Sequence, residues 1–162
     1  MPEIICNTSP LQYLHQIGGL DLLASLAKRV TVPPAVVDES AEGKRLGIEL
    51  PDVAVLDWIT IRRPTSAAAL PLISELGPGE TKVLMLALES PGAVVILDDG
   101  LARRFAETVG IPMTGTLGIL RDAKTAGLIS AVKPLLDQLQ DRGFRLASQT
   151  RIAVLRQVGE SA

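Results

Sequence analysis

At 162 residues, 47% apolar and 21% charged, the chain is long enough to close a core without disulfides, and its composition excludes disordered, collagen-like and low-complexity proteins. A formal net charge of −2 removes bulk attraction to nucleic acid, so any such contact must be local. Tyr13, Trp58, Phe105 and Phe144 are the only aromatics, which argues against an exposed base-stacking platform, and one cysteine with one histidine allows neither an internal disulfide nor a structural zinc set.

In chain order, the apolar run 4–6 reads as a strand stopped by Asn7-Thr8-Ser9-Pro10, where Ser and Thr can cap and Pro suits a first helical turn. Leu11, Leu14 and Ile17 recur at helical spacing, Gly18-Gly19 close that helix, and a second helix spans Leu20 to Ala27. Val30–Val32 is a second strand, and Pro33-Pro34 open a helix expected to reach about Leu50. The alternation of 58–61 fits an edge strand, and a helix is expected over 65–76 although Pro71 interrupts it. Gly77-Pro78-Gly79-Glu80 start a helix to Glu89. The unbroken run Ala93–Leu97 is the strand expected at the centre of the sheet, because both of its faces must be covered.

After Asp98-Asp99-Gly100 come a helix to Val109, a weak strand at 111–113, and helices near 115–126, 131–141 and 148–158. Strands alternating with helices predict a parallel sheet between helical layers. No basic, cleavable leader precedes the first strand, and no apolar run approaches the ~18 residues of a membrane span. A single cytoplasmic domain over 1–162, without membrane contact, is expected.

Ligands of open parallel sheets bind outside the carboxyl ends of the strands. Two such ends are polar here, Asn7-Thr8-Ser9 and Asp98-Asp99. Adjacent carboxylates repel unless a cation offsets them, and hard oxygen donors suit Mg²⁺ or Mn²⁺; either Asp also serves as an ordinary helix cap. Glu39 shares a helix face with Ala35 and Val36, whereas Asp38, Glu42 and Arg45 mark the solvated stripe. Glu80 heads an apolar stripe with Val83, Leu84, Ala87 and Leu88, and its place in a first helical turn equally suits the helix dipole. Two core-facing glutamates need a partner, and a shared metal ion supplies one. Arg103, one turn after the Asp pair, can lean back over the carboxylates, and Thr114 and Thr116 lie at another strand end. His15 reads as exposed and Cys6 as a small core residue, while Gly115-Thr116-Leu117-Gly118 lacks a P-loop lysine.

Six segments in order carry a resemblance: Asn-Thr-Ser-Pro-Leu at 7–11, Ile-Gly-Gly-Leu-Asp-Leu-Leu at 17–23, Val-Pro-Pro-Ala-Val-Val-Asp-Glu at 32–39, Gly-Pro-Gly-Glu at 77–80, Leu-Asp-Asp-Gly-Leu-Ala-Arg at 97–103 and Thr-Gly-Thr-Leu-Gly-Ile-Leu at 114–120. With them the chain resembles the PIN-domain superfamily of nucleases, and within it the VapC-type toxin-like branch of bacteria and archaea. The resemblance implies a three-layer α/β/α fold with a mainly parallel sheet of four or five strands. It puts the acidic positions at Asn7, Glu39, Glu80 and Asp99, with Asp98 beside them and Thr8 or Ser9 as auxiliary groups. The departure is Asn7, a neutral amide where the superfamily carries an aspartate that ligates metal.

The function expected is that of an endoribonuclease dependent on Mg²⁺ or Mn²⁺, the toxin of a toxin–antitoxin pair. The resemblance implies a small antitoxin protein and a homodimer, and the scarcity of aromatics suits a structured RNA such as tRNA, read by shape and phosphates. A binding module without turnover is the rival that Asn7 favours. A phosphatase or receiver-like domain fits less well, since its acidic residues would follow the first strand, where this chain has none.

Overall fold

The computed structural model describes residues 2–65 and 75–161. Among these, β1 (Ile4–Cys6), β2 (Val30–Val32), β3 (Ile59–Ile61), β4 (Val94–Ile96) and β5 (Met113–Thr114) form one all-parallel sheet in the order β3-β2-β1-β4-β5. Eight helices accompany it among the described residues: α1 (Thr8–Gln16), α2 (Leu20–Ala27), α3 (Pro34–Arg45), α4 (Pro78–Glu89), α5 (Gly100–Thr108), α6 (Thr116–Thr125), α7 (Lys133–Asp141) and α8 (Ser148–Gln157). The result is a three-layer α/β/α fold. None of these helices is long and apolar enough to cross a membrane.

The layers follow from chain direction. The chain steps from β1 outward to β2 and β3, then returns across β1 to β4 and β5. Right-handed crossovers in opposite directions must lie on opposite faces. Accordingly α4 packs on β1 and β4 and against α5, while α1, α2 and α6 pack together with α8 behind α6. Between them Leu, Val, Ile and Ala make the core, with Ile5, Leu11, Leu84, Ile96 and Leu120 among the largest fully buried side chains. Tyr13 and Phe144 meet edge to face at its border, their centroids 5.0 Å apart.

Several expectations need correction. The run 93–97 is interior but not central; β1 holds the middle of the sheet, because the winding reverses on it. The helix expected to reach Leu50 ends at Arg45. There Gly47 adopts φ +91°, its N–H bonds Lys44 O at 3.0 Å and the Ile48 N–H bonds Gly43 O at 2.9 Å, a paired closure that turns the chain out of the helix. The last strand lies at Met113–Thr114 rather than 111–113. Thr8 and Ser9 do not cap α1; both lie inside its first turn, and Asn7 takes the cap position without a side-chain bond to the helix. Most of the helix expected over 65–76 lies outside the described residues.

Candidate active site

All five strands run the same way, so their carboxyl ends share one side of the sheet, and the winding reverses between β1 and β4, the point at which open parallel sheets form their ligand crevice. Asn7 directly follows β1, and its N–H bonds Ile96 O at 3.2 Å, which fastens it to the end of β4. The side chain is only 2% exposed, and its Oδ1 is a buried acceptor without a hydrogen-bond partner among the described residues. Such an orphan costs about 1–3 kcal/mol unless something fills the vacancy in its bonding.

What stands beside Asn7 is Glu39 of α3. The Thr8 hydroxyl donates to Glu39 Oε1 at 2.6 Å, and the Gly79 N–H donates to Oε2 at 2.9 Å. Gly79 lies in the first turn of α4, where exposed N–H groups and the helix dipole favour a carboxylate. A methyl carbon on Gly79 would overlap Glu39 Oε1 and lie 2.8 Å from Asn7 Oδ1, so both oxygens point at one small space. A carboxylate and an unpartnered amide oxygen around a shared space are hard donors, and they fit a divalent cation of the Mg²⁺ or Mn²⁺ type.

A second polar group lies at the end of β4. Asp98 accepts the Thr116 N–H at Oδ1 (2.9 Å) and the Thr116 hydroxyl at Oδ2 (2.6 Å), at the start of α6. Burial raises its pKa, against the pull of both Thr116 bonds and of Arg103. Arg103 does lean back: its Nη1 donates to Leu97 O at 2.7 Å. A Cβ on Gly115 would stand 2.8 Å from Asp98 Oδ1 and 2.9 Å from Arg103 Nη1, so charge and countercharge close over that glycine. Burial, and secondarily the Asp98 charge, push the Cys6 thiol well above its ordinary range.

Among the described residues none of the remaining expected side chains hydrogen-bonds to either group. Asp99 is exposed and caps α5, its Oδ2 accepting the Ala102 N–H at 2.9 Å. Glu80 folds back over the start of α4, where a Cβ on Gly77 would lie 2.7 Å from its Oε2. Ser9 makes no side-chain hydrogen bond among the described residues, and Thr114 Oγ1 is pressed against Gly118. Among the described residues no three Asp, Glu, His or Cys side chains converge as a metal-holding group. Gly79 is the participant that residue types alone did not reveal. Its signal was the Gly-Pro-Gly-Glu sequence, which reads first as a helix start.

A family model described as DUF3368, PIN domain, matches residues 3–160. No curated protein matches the chain.

Proposed function

The chain belongs to the PIN-domain family DUF3368; PIN domains are in general nucleases that use divalent metal ions, and from that premise we propose that it is an endoribonuclease dependent on Mg²⁺ or Mn²⁺. The observation that carries this reading is the buried, unpartnered Asn7 Oδ1 facing the same space as the Glu39 carboxylate. Asn7 and Glu39 hold the cation, Asp98 stands at the neighbouring strand end, and Asp99 and Glu80 add outer negative charge. Thr8 and Gly79 fix the Glu39 carboxylate by one hydrogen bond at each oxygen, so its orientation does not depend on the ion. A bound cation would supply an activated water and offset charge on the scissile phosphodiester.

The substrate class is RNA, with a folded molecule such as tRNA preferred. The VapC-type likeness of the motifs supports a toxin held silent by a small antitoxin, acting as a homodimer. A second reading, a PIN-like binding module without turnover, is favoured by the amide at position 7 and by the finding that no three Asp, Glu, His or Cys side chains group together among the described residues.

Incubation of the purified protein with tRNA across a Mn²⁺ titration separates the two. The nuclease gives products that chelator abolishes and that Glu39→Gln reduces by about 100-fold or more. Tight RNA binding with intact RNA at every Mn²⁺ concentration would establish the module instead.

A further inference from the structure

Beside Asp98, and sharing Arg103 with it, lies a cavity of about 620 Å³ walled by β5, α6, the 144–147 segment and α8. Three guanidinium groups line it, Arg103, Arg121 and Arg145, against a single carboxylate, Asp98, whose two oxygens are already bonded to Thr116. In a chain of net charge −2 this is a local concentration of positive charge. The arginines have donors to spare. Arg145 is exposed and makes no hydrogen bond or ion pair among the described residues. Among the described residues the Arg121 side chain pairs only with its neighbour Asp122, at 3.3 Å, and its Nη2 lies over Gly118 on the cavity wall. Met113, Phe144 and Val154 contribute an apolar lining, with Phe144 steadied by Tyr13.

We propose that this cavity is a strand-binding subsite that takes one nucleotide of the RNA adjoining the cleavage site, with Arg121 and Arg145 on its phosphates and the apolar wall against its base and sugar. The assignment rests on the nuclease reading above for its choice of RNA. Three features select this occupant. Guanidinium forks match phosphate oxygens, the volume lies within the ~300–1,000 Å³ of small-ligand sites, and Asp98 and Arg103 belong both to the cavity and to the site at the strand ends. A strand running from that crevice therefore enters the cavity without leaving the protein surface.

The test is equilibrium binding of a short fluorescent single-stranded RNA to the full chain in chelator, read by anisotropy at several salt concentrations. Arg121→Glu and Arg145→Glu should each weaken binding by about tenfold and lower the salt slope by about 0.7 per lost phosphate contact. Arg29→Glu, the same charge change at the β2–β3 side, where Arg29 bonds Thr60, should leave both unchanged. Uridine monophosphate and poly-glutamate should displace the RNA only at far higher concentration. The subsite is overturned if Arg121→Glu and Arg145→Glu, melting like wild type, bind RNA as wild type does. Displacement by either competitor as readily as by RNA overturns it too, in favour of a free nucleotide or an acidic peptide. Since no metal or cleavage enters the measurement, a protein that binds here and cuts nothing loses the nuclease reading and keeps the subsite. One that cuts RNA but ignores both substitutions keeps the nuclease and loses the subsite.

Discussion

Gly79 donates its N–H to Glu39 Oε2 at 2.9 Å while leaving no room for a side chain beside Oε1. Helix propensity alone would make Gly79→Ala stabilising by about 1 kcal/mol. Overpacking against a carboxylate held by Thr8 opposes this by about 1–3 kcal/mol. The expected outcome is a lower melting temperature and weaker Mn²⁺ binding, read by thermal melts and calorimetry. Gly100→Ala is the control: no atom lies within 4 Å of the added carbon, so neither quantity should fall.

Asn7→Asp places a second carboxylate opposite Glu39. Without metal the two repel, and stability should drop by about 1–3 kcal/mol; with Mn²⁺ the added charge should tighten binding and raise RNA cleavage at limiting metal. Melting temperatures across a Mn²⁺ titration for both proteins would show the lines cross. Parallel lines would remove Asn7 from the metal site.

Asp99 offers a separation of cap from charge. Asp99→Ala should lose about 1 kcal/mol through the missing bond to the Ala102 N–H, whereas Asp99→Asn, a residue that also caps well, should melt like wild type. If Asp99 contributes outer charge as proposed, Asp99→Asn still weakens Mn²⁺ binding, though less than Glu39→Gln does. Urea denaturation and calorimetry on the three variants decide it.

Glu160 predicts an acid limb in stability. Burial pushes its carboxyl up, but the N–H groups of Val132 and Lys133 and the Lys124 ammonium outweigh that and hold it down to about 2, from an ordinary 4.5. A lowered folded pKa gives stability that is complete above about pH 4.5 and disappears as pH falls towards 2. Glu160→Gln should therefore be less stable than wild type by about 1–3 kcal/mol at neutral pH, with the gap closing through that acid window. Urea midpoints measured from pH 7 downward test this.

The strands were legible because short apolar runs such as Ile4–Cys6 and Val94–Ile96 have no polar face to expose, and α3 announced itself through Pro34. The order of those strands was not, since every central strand reads alike and only the direction of each crossover decides which becomes the middle. Glu39 could be found from its phase with Ala35 and Val36. Asp98 and Asp99 could not be told apart, for adjacent residues at a strand end point in different directions according to the next helix: here Asp98 turns to Thr116 and Asp99 to its own helix. Arg121 and Arg145 gave no pattern at all. They come from a helix and a loop brought together by packing, where sequence periodicity has nothing to report.

Cys6 is the one thiol of the chain, fully buried in the middle strand and a single residue before Asn7. With its ionisation suppressed as well, it can meet an alkylating reagent only when β1 leaves the sheet. The protein thus contains its own clock for the opening of its centre. Any cation bound beside Asn7 stabilises the closed state by mass action and must slow that clock in proportion to its occupancy. Metal affinity can therefore be timed from thiol chemistry alone, with no RNA present and no label added to the site.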